Sequence, residues 1–116
     1  MLFGTNQPIW FYSWPIDFRK QIDALVILVA DKLALDPVSG QLFIFRNRQA
    51  NKLKFLWWDN NGFWLCYKRI EKGRFKLPEQ QDSTLSLCKD ELNVLLAGLD
   101  FTQKGYFDKV TAKYFY

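Results

Sequence analysis

Positive charge in this 116-residue chain is concentrated in its middle third. Nine lysines and arginines lie between residues 46 and 76 against two acids, Asp59 and Glu71, giving a net charge of +7, whereas the sequence on either side is slightly acidic. Lys and Arg side chains neutralise phosphates, and the donor fork of Arg matches a phosphate or the edge of a guanine. The segment therefore favours contact with a polyanion, with a solvated polar surface as the simpler alternative.

The same segment is rich in aromatic residues. The run KLKFLWWDNNGFWLCYKR at 52–69 holds three tryptophans, two phenylalanines and a tyrosine. Trp58, Phe63 and Tyr67 are candidates for stacking on bases or for contact with a protein partner. Burial of these three under a second helix is the simpler alternative. Trp57 and Trp64 are predicted to lie in the core.

The residue types needed for most catalysis are missing or badly spaced. The chain has no histidine, which removes Ser-His and Cys-His machinery, and it has no Gly-rich phosphate loop. Cys66 and Cys88 are not spaced as a zinc or redox pair. Capping and surface roles explain the scattered aspartates more simply than a metal site. We therefore predict a protein that is not an enzyme and has no cofactor, metal or small-molecule substrate.

Hydrophobic spacing predicts the elements that position these residues. A strand is expected at 9–13, followed by a helix that begins near Pro15 and ends before the turn at 36–40. Strands are expected at 42–46, 52–58 and 63–70, with a further short one at 71–75 and an apolar stretch at 85–87. A second helix is expected to end at Gly98. The core-facing positions are Ile22, Leu25, Val26, Val29 and Leu33 in the first helix, and Leu92, Leu95, Leu96 and Leu99 in the second.

This order predicts an α+β fold, with an antiparallel sheet of about four to five strands packed with one long helix and a shorter C-terminal helix. The expected organisation is one domain over residues 1–102 and a C-terminal tail over 103–116. The end of the tail, KVTAKYFY, is either an edge strand or an ordered arm. The opening residues have no signal-peptide pattern and the apolar runs are short, so we expect a cytoplasmic protein with no membrane contact.

The DNNG sequence at 59–62 predicts a tight hairpin, whose two-residue loop is either Asn60-Asn61 or Asn61-Gly62. A two-residue loop places Leu53, Phe55 and Trp57 on one face, predicted to pack under the first helix, and leaves the other face apolar near the turn and basic at its far end. The basic side chains at that far end should converge from several strands and loops. The candidate nucleic-acid contacts are Arg46, Arg48, Lys52, Lys54, Arg69, Lys72, Arg74 and Lys76.

Three stretches in order carry a resemblance to a known family: PIDFRKQIDAL at 15–25, DPVSGQLFIFRNR at 36–48 and KLKFLWWDNNGFWLCYKRIEKGRFKLP at 52–78. Together they resemble the small TnpB-type accessory proteins encoded by the second reading frame of the insertion sequences numbered sixty-six. That family is distinct from the RNA-guided nuclease that shares the TnpB label. The resemblance extends to LLAGLDF at 95–101.

The resemblance implies a bacterial protein that is made beside a transposase and is needed for transposition. The family offers no catalytic residues to carry over, and DNA binding is its usual supposed role. This chain has Gln49-Ala50-Asn51 where the family commonly has Arg-Gly-Asp, and Cys88 where a Thr usually caps the last helix. Its tail is also less basic than that of many members.

Three hypotheses follow for the molecular role. The first is an accessory factor that binds the DNA at the element's ends through the basic candidates. The second is an adaptor that recruits or stabilises the transposase through exposed aromatic residues, among them Trp58, Phe63 and the tail's Tyr114, Phe115 and Tyr116. The third is RNA binding, which competition between DNA and RNA would distinguish from the first.

Overall fold

The computed structural model describes residues 8–78 and 82–99, so the predicted tail lies outside the described residues. Within them, five strands form one sheet in the order β4-β3-β2-β1-β5, with two helices packed against it. The elements are β1 (Ile9–Tyr12), α1 (Ile22–Leu28), β2 (Leu42–Arg46), β3 (Lys52–Asp59), β4 (Gly62–Arg69), β5 (Thr84–Leu87) and α2 (Lys89–Leu96). The α+β class predicted from the sequence is confirmed.

One strand pair of the sheet is parallel. β2, β3 and β4 form an antiparallel meander and β5 pairs antiparallel with β1, but β1 and β2 run in the same direction. The prediction of an antiparallel sheet is therefore wrong for this pair. α1 carries the chain back to the end of the sheet where β1 began, so β2 must run parallel to β1.

The β3–β4 hairpin has the predicted two-residue loop, with Asp59 paired to Gly62 and Trp57 opposite Trp64. The predicted division of the hairpin side chains between two faces is confirmed, but the helix predicted to cover the face with Leu53 is wrong. Leu53, Phe55 and Trp57 pack against α2, not the first helix. A right-handed crossover fixes the face on which α1 lies, but only once β1 and β2 are known to be parallel.

Each face of the sheet holds its own core. On the α1 side, the predicted stripe packs as expected, with Leu25, Val29 and Leu33 buried against Phe43 and Phe45. On the α2 side, the buried residues include Phe11, Ile44, Leu92, Val94 and Leu95. The sheet is thus the middle of three layers, and charged side chains can reach solvent mainly at its ends and edges.

The first helix is shorter than predicted. It begins at Ile22 and continues through a π-helical turn, Val29–Leu33, so that helical residues span 12 positions. Residues 15–21 form a non-helical connection, held to the sheet by a hydrogen bond from the Ile16 N–H to the Arg46 carbonyl at 3.0 Å. The expected strand at 71–75 is also absent, although the Phe75 N–H bonds to the Ala50 carbonyl. Within residues 8–78 and 82–99, neither helix has the length and apolarity to cross a bilayer.

The end of α2 agrees with the sequence. Leu92 and Leu95 are buried, while Leu96 and Leu99 pack partly against the same core. Gly98 follows the helix with φ of +77°, a conformation that costs glycine little. At the other end, the Glu91 carboxylate accepts a 2.9 Å hydrogen bond from the Cys88 N–H, which compensates in part for the poor capping residue.

The β2–β3 connection, residues 47–51, contains a residue in an unfavourable backbone conformation. Ala50 has φ of +57°, in the left-handed region where a Cβ is penalised. The side-chain oxygen of Asn47 accepts from the N–H groups of Asn51 and Lys52, both at 3.1 Å. This Asn-centred network holds the loop closed and keeps Ala50 in that conformation.

We predict that Ala50→Gly raises the free energy of unfolding by about 1 kcal/mol, because glycine adopts positive φ without the steric cost. Urea unfolding followed by circular dichroism measures the change. Ala97→Gly is the matched control, since Ala97 is exposed with φ of −78° and the substitution there should lower stability by about 0.5–1 kcal/mol. Equal losses for both variants would contradict the prediction.

Candidate nucleic-acid interface

The loop 47–51 positions two of the candidate basic residues. Asn47 is buried and also donates from its side-chain nitrogen to the Asn51 side chain at 2.6 Å and the Gln49 side chain at 3.2 Å. With Asn47 holding the turn, Arg48 is exposed at the loop and Lys52 stands at the start of β3. Both therefore project from a well-anchored backbone rather than from a mobile stretch.

The segment after β4 docks against this loop. The Ile70 N–H donates to the Asn51 carbonyl at 2.9 Å, and the Phe75 N–H donates to the Ala50 carbonyl at 2.8 Å. Phe75 is buried in the core on the α2 side of the sheet, and this burial anchors the segment. Two exposed cations, Lys72 and Arg74, are thereby brought beside the loop.

Five cations meet at this end of the sheet, and we call them the basic surface: Arg48, Lys52, Arg69, Lys72 and Arg74. Arg69 lies directly opposite Lys52 in the ladder. A sixth candidate outside the core, the exposed Lys76, follows the buried Phe75. The surface thus joins side chains up to 26 positions apart.

Few carboxylates balance the basic surface. Arg69 pairs with Glu71 at 2.8 Å, which raises the pKa of the guanidinium, and both side chains are largely solvent-exposed. The other four members make no ion pair with any carboxylate of the described residues. An exposed pair such as Arg69–Glu71 contributes little to stability and is easily exchanged for another anion.

Two candidates, Arg46 and Lys54, turn inward instead. Arg46 is 8% exposed and donates from Nε to the Ser13 carbonyl at 2.8 Å. Burial, followed by the nearby positive charge of Arg48, lowers the pKa of Arg46. Lys54 is 4% exposed, with Nζ bonded to the carbonyls of Phe18 and Lys20 at 2.8 and 2.6 Å. Burial also lowers the pKa of Lys54. These two side chains hold the β1–α1 connection to the sheet and do not belong to the exposed surface.

The aromatic candidates differ in exposure. Trp58 and Phe63 are half-buried and pack edge to face, with ring centroids 5.0 Å apart. They lie on the α1 side of the sheet and not under the second helix. Tyr67 is 52% exposed, and its ring meets that of Phe18 at 6.1 Å. Tyr67 is therefore the one of the three that is open to a partner.

Trp64 was predicted to lie in the core but is 47% exposed. It stacks on Trp57 with centroids 6.0 Å apart and donates from Nε1 to Asp59 at 3.0 Å. β4 is an edge strand of the sheet formed by the described residues, so no element there covers the outer side of Trp64. Strand alternation indicates the face of a side chain but not whether anything lies over it.

The sequence did not indicate two further features of this region. Phe18 and Asp17, expected in the first turn of a helix, lie in the non-helical connection beside the loop 47–51. Asp17 is held by both Nε and Nη2 of Arg19, and these bonds lower its pKa to about 2. Nothing in the sequence pattern distinguishes an aromatic residue of this connection from one in the first turn of a helix. Among residues 8–78 and 82–99, no three His, Cys, Asp or Glu side chains cluster as metal ligands.

The described residues thus form one mixed sheet covered by two helices, with a cationic end. The family model for the IS66 Orf2 like protein matches residues 7–105. The chain therefore belongs to the IS66 Orf2-like family, whose membership points to an accessory role in transposition.

Two proteins of Sinorhizobium fredii strain NGR234 are similar to this chain, and both carry the description "uncharacterized". The first, y4jC, is 38% identical over 89 residues, covering 77% of this chain and 76% of its own length. The second, y4hO, is 34% identical over 98 residues, covering 84% and 85%. No solved structure matches the chain.

We predict that Lys54→Met lowers the free energy of unfolding by about 1–3 kcal/mol, because the carbonyls of Phe18 and Lys20 lose a charged donor. Lys52→Met is the matched control. Lys52 lies two positions away on the same face without an ion pair to a described carboxylate, so its change should stay within about 0.5 kcal/mol. Urea denaturation measures both, and equal effects would show that the ammonium of Lys54 has no anchoring role.

Proposed function

We propose that the protein is a non-catalytic accessory factor of transposition that binds the DNA at the ends of its element through the basic surface. The observation that carries this proposal is the convergence of five cations, of which only Arg69 is paired with a described carboxylate. Concentrated positive charge of this kind attracts a nucleic acid and releases its counterions on contact. Family membership supplies the transposition context.

Phosphate contact explains the arrangement better than recognition of bases alone. The cations come from a hairpin loop, the ends of two strands and a following turn, so they form an end surface and not a reading helix. Arg48, Arg69 and Arg74 can each bind a phosphate with two parallel hydrogen bonds. This surface would hold the protein on the DNA backbone through phosphates. Any preference for a DNA sequence would come from a smaller number of contacts to bases.

We predict that Lys52→Gln/Lys72→Gln lowers the slope of log affinity against log salt by about two, since each lost phosphate contact removes about 0.9. Fluorescence anisotropy with a labelled duplex carrying the element's end, at four or more salt concentrations, measures the slope. Lys32→Gln/Lys89→Gln removes the same charge far from the basic surface and should leave the slope almost unchanged.

Two results would refute this proposal. One is an affinity that does not depend on salt, and the other is an equal loss for the two double variants. An excess of an RNA duplex of the same sequence is a useful competitor. If it displaces the DNA more effectively than unlabelled DNA does, the surface is an RNA-binding one.

An adaptor role remains the second candidate, and the exposure of Trp64 favours it. A half-exposed tryptophan on an edge strand is typical of a protein contact. We predict that Trp64→Ser reduces co-purification with the element's transposase from nuclease-treated lysate about tenfold. Trp14→Ser, at a tryptophan that is 45% exposed elsewhere, is the control. Association that disappears on nuclease treatment of the unaltered protein would argue against a direct contact.

A further inference from the structure

A surface cavity of about 400 Å³ lies beside the basic surface, between the β1–α1 connection and the loop 47–51. Its lining includes Phe18 from the connection and Arg48, Gln49 and Lys52 from the loop and the start of β3. A volume of this size falls within the range of about 300–1,000 Å³ that is usual for small-ligand sites. A duplex cannot enter it, but a single nucleotide can.

The charges around the cavity favour an anion. Arg48 and Lys52 line it without an ion pair to any described carboxylate. The one acid in the lining, Asp17, is already paired with Arg19 through both of its oxygens. The carboxylate is thus neutralised locally, and the two free cations determine the sign of the potential.

Aromatic rings lie next to these cations. One side of the Phe18 ring is occupied by the ammonium of Lys54, 5.0 Å from the ring centroid. The Phe18 ring also meets Tyr67 edge-on. Tyr67 keeps about half of its surface in solvent although it lies opposite the buried Lys54 in the sheet. An exposed ring beside cations is the combination that proteins use to hold unpaired bases.

Gln49 supplies the polar group that such a site needs. Its side-chain oxygen accepts from Asn47, which orients the amide and leaves its nitrogen as a donor at the cavity. Amide groups of this kind bond to base edges, and an unpaired base offers its Watson–Crick edge in addition to the edge exposed in a duplex. The hydrogen bonds of Asn47 within the loop keep the group in place before any ligand binds.

We propose that this cavity and Tyr67 bind an unpaired nucleotide of the DNA, so that the protein prefers a duplex end with a single-stranded overhang to a blunt end. Arg48 and Lys52 hold the phosphate, Tyr67 stacks on the base beside Phe18, and Gln49 donates to its edge. The inference rests on the proposed DNA binding, which it extends from the duplex backbone to the structure of the DNA end.

The test compares three labelled duplexes of identical sequence at one salt concentration: blunt, with a four-nucleotide overhang, and with the same overhang made abasic. The overhang should bind roughly 5- to 100-fold more tightly than the blunt end, the range that stacking of about one base supplies. The abasic overhang keeps the phosphates but should lose most of this preference. Both 5′ and 3′ overhangs are measured.

Tyr67→Ala should bring the ratio of overhang to blunt affinity close to one, whereas Tyr67→Phe should retain it. Trp64→Ala, which removes an exposed ring from the opposite face of the same strand, should not change the ratio. Thermal unfolding of each variant shows whether it is folded.

The outcomes separate the two proposals. Salt-dependent binding of all three duplexes with equal affinity overturns the cavity inference and leaves the proposed function standing. An absence of binding to every duplex overturns both. A preference that persists with the abasic overhang shows that no base is held, and one that persists in Tyr67→Ala overturns the role given to Tyr67. Tighter binding of an RNA overhang excludes the assignment to DNA.

Discussion

The burial of two cations on backbone carbonyls anchors the connection at the basic end of the sheet. Lys54 binds the carbonyls of Phe18 and Lys20, and Arg46 binds that of Ser13. A buried charge that loses its hydrogen bonds is strongly destabilising, so these contacts hold the β1–α1 connection in place. The connection held in this way is not helical, α1 begins only at Ile22, and a cavity lies between the connection and the loop 47–51.

Position along a strand, and not residue type, separates the structural cations from the exposed ones. Lys52 and Lys54 share a face of β3, yet Lys54 lies two residues deeper, under the connection, while Lys52 stays at the sheet's end. Lys68 points to the other face and donates to the Leu96 carbonyl at the end of α2, a favourable place for a positive charge. Roughly a third of the basic residues in the segment 46–76 therefore serve the fold.

Local signals in the sequence were sufficient for much of this architecture. The two-residue hairpin loop, the division of β3 and β4 side chains between two faces, the buried stripe of α1 and the end of α2 at Gly98 all depend on neighbouring residues. The parallel β1–β2 pair, the face covered by each helix and the late start of α1 depend on contacts between distant segments, which hydrophobic periodicity does not encode. The convergence of cations followed from the hairpin register, but the burial of Arg46 and Lys54 required the position of the connection.

The two faces of β4 allow the DNA-binding and adaptor hypotheses to hold together. Tyr67 and Arg69 lie on the α1 side next to the cavity, whereas Trp64 and Lys68 lie on the α2 side, because successive residues alternate across a strand. A DNA end held at Tyr67 would leave Trp64 open to a protein. The two contacts would then be physically independent, so a substitution could abolish one of them without affecting the other. An accessory factor that joined an enzyme to a DNA end would need two such surfaces, and the two faces of β4 would supply them.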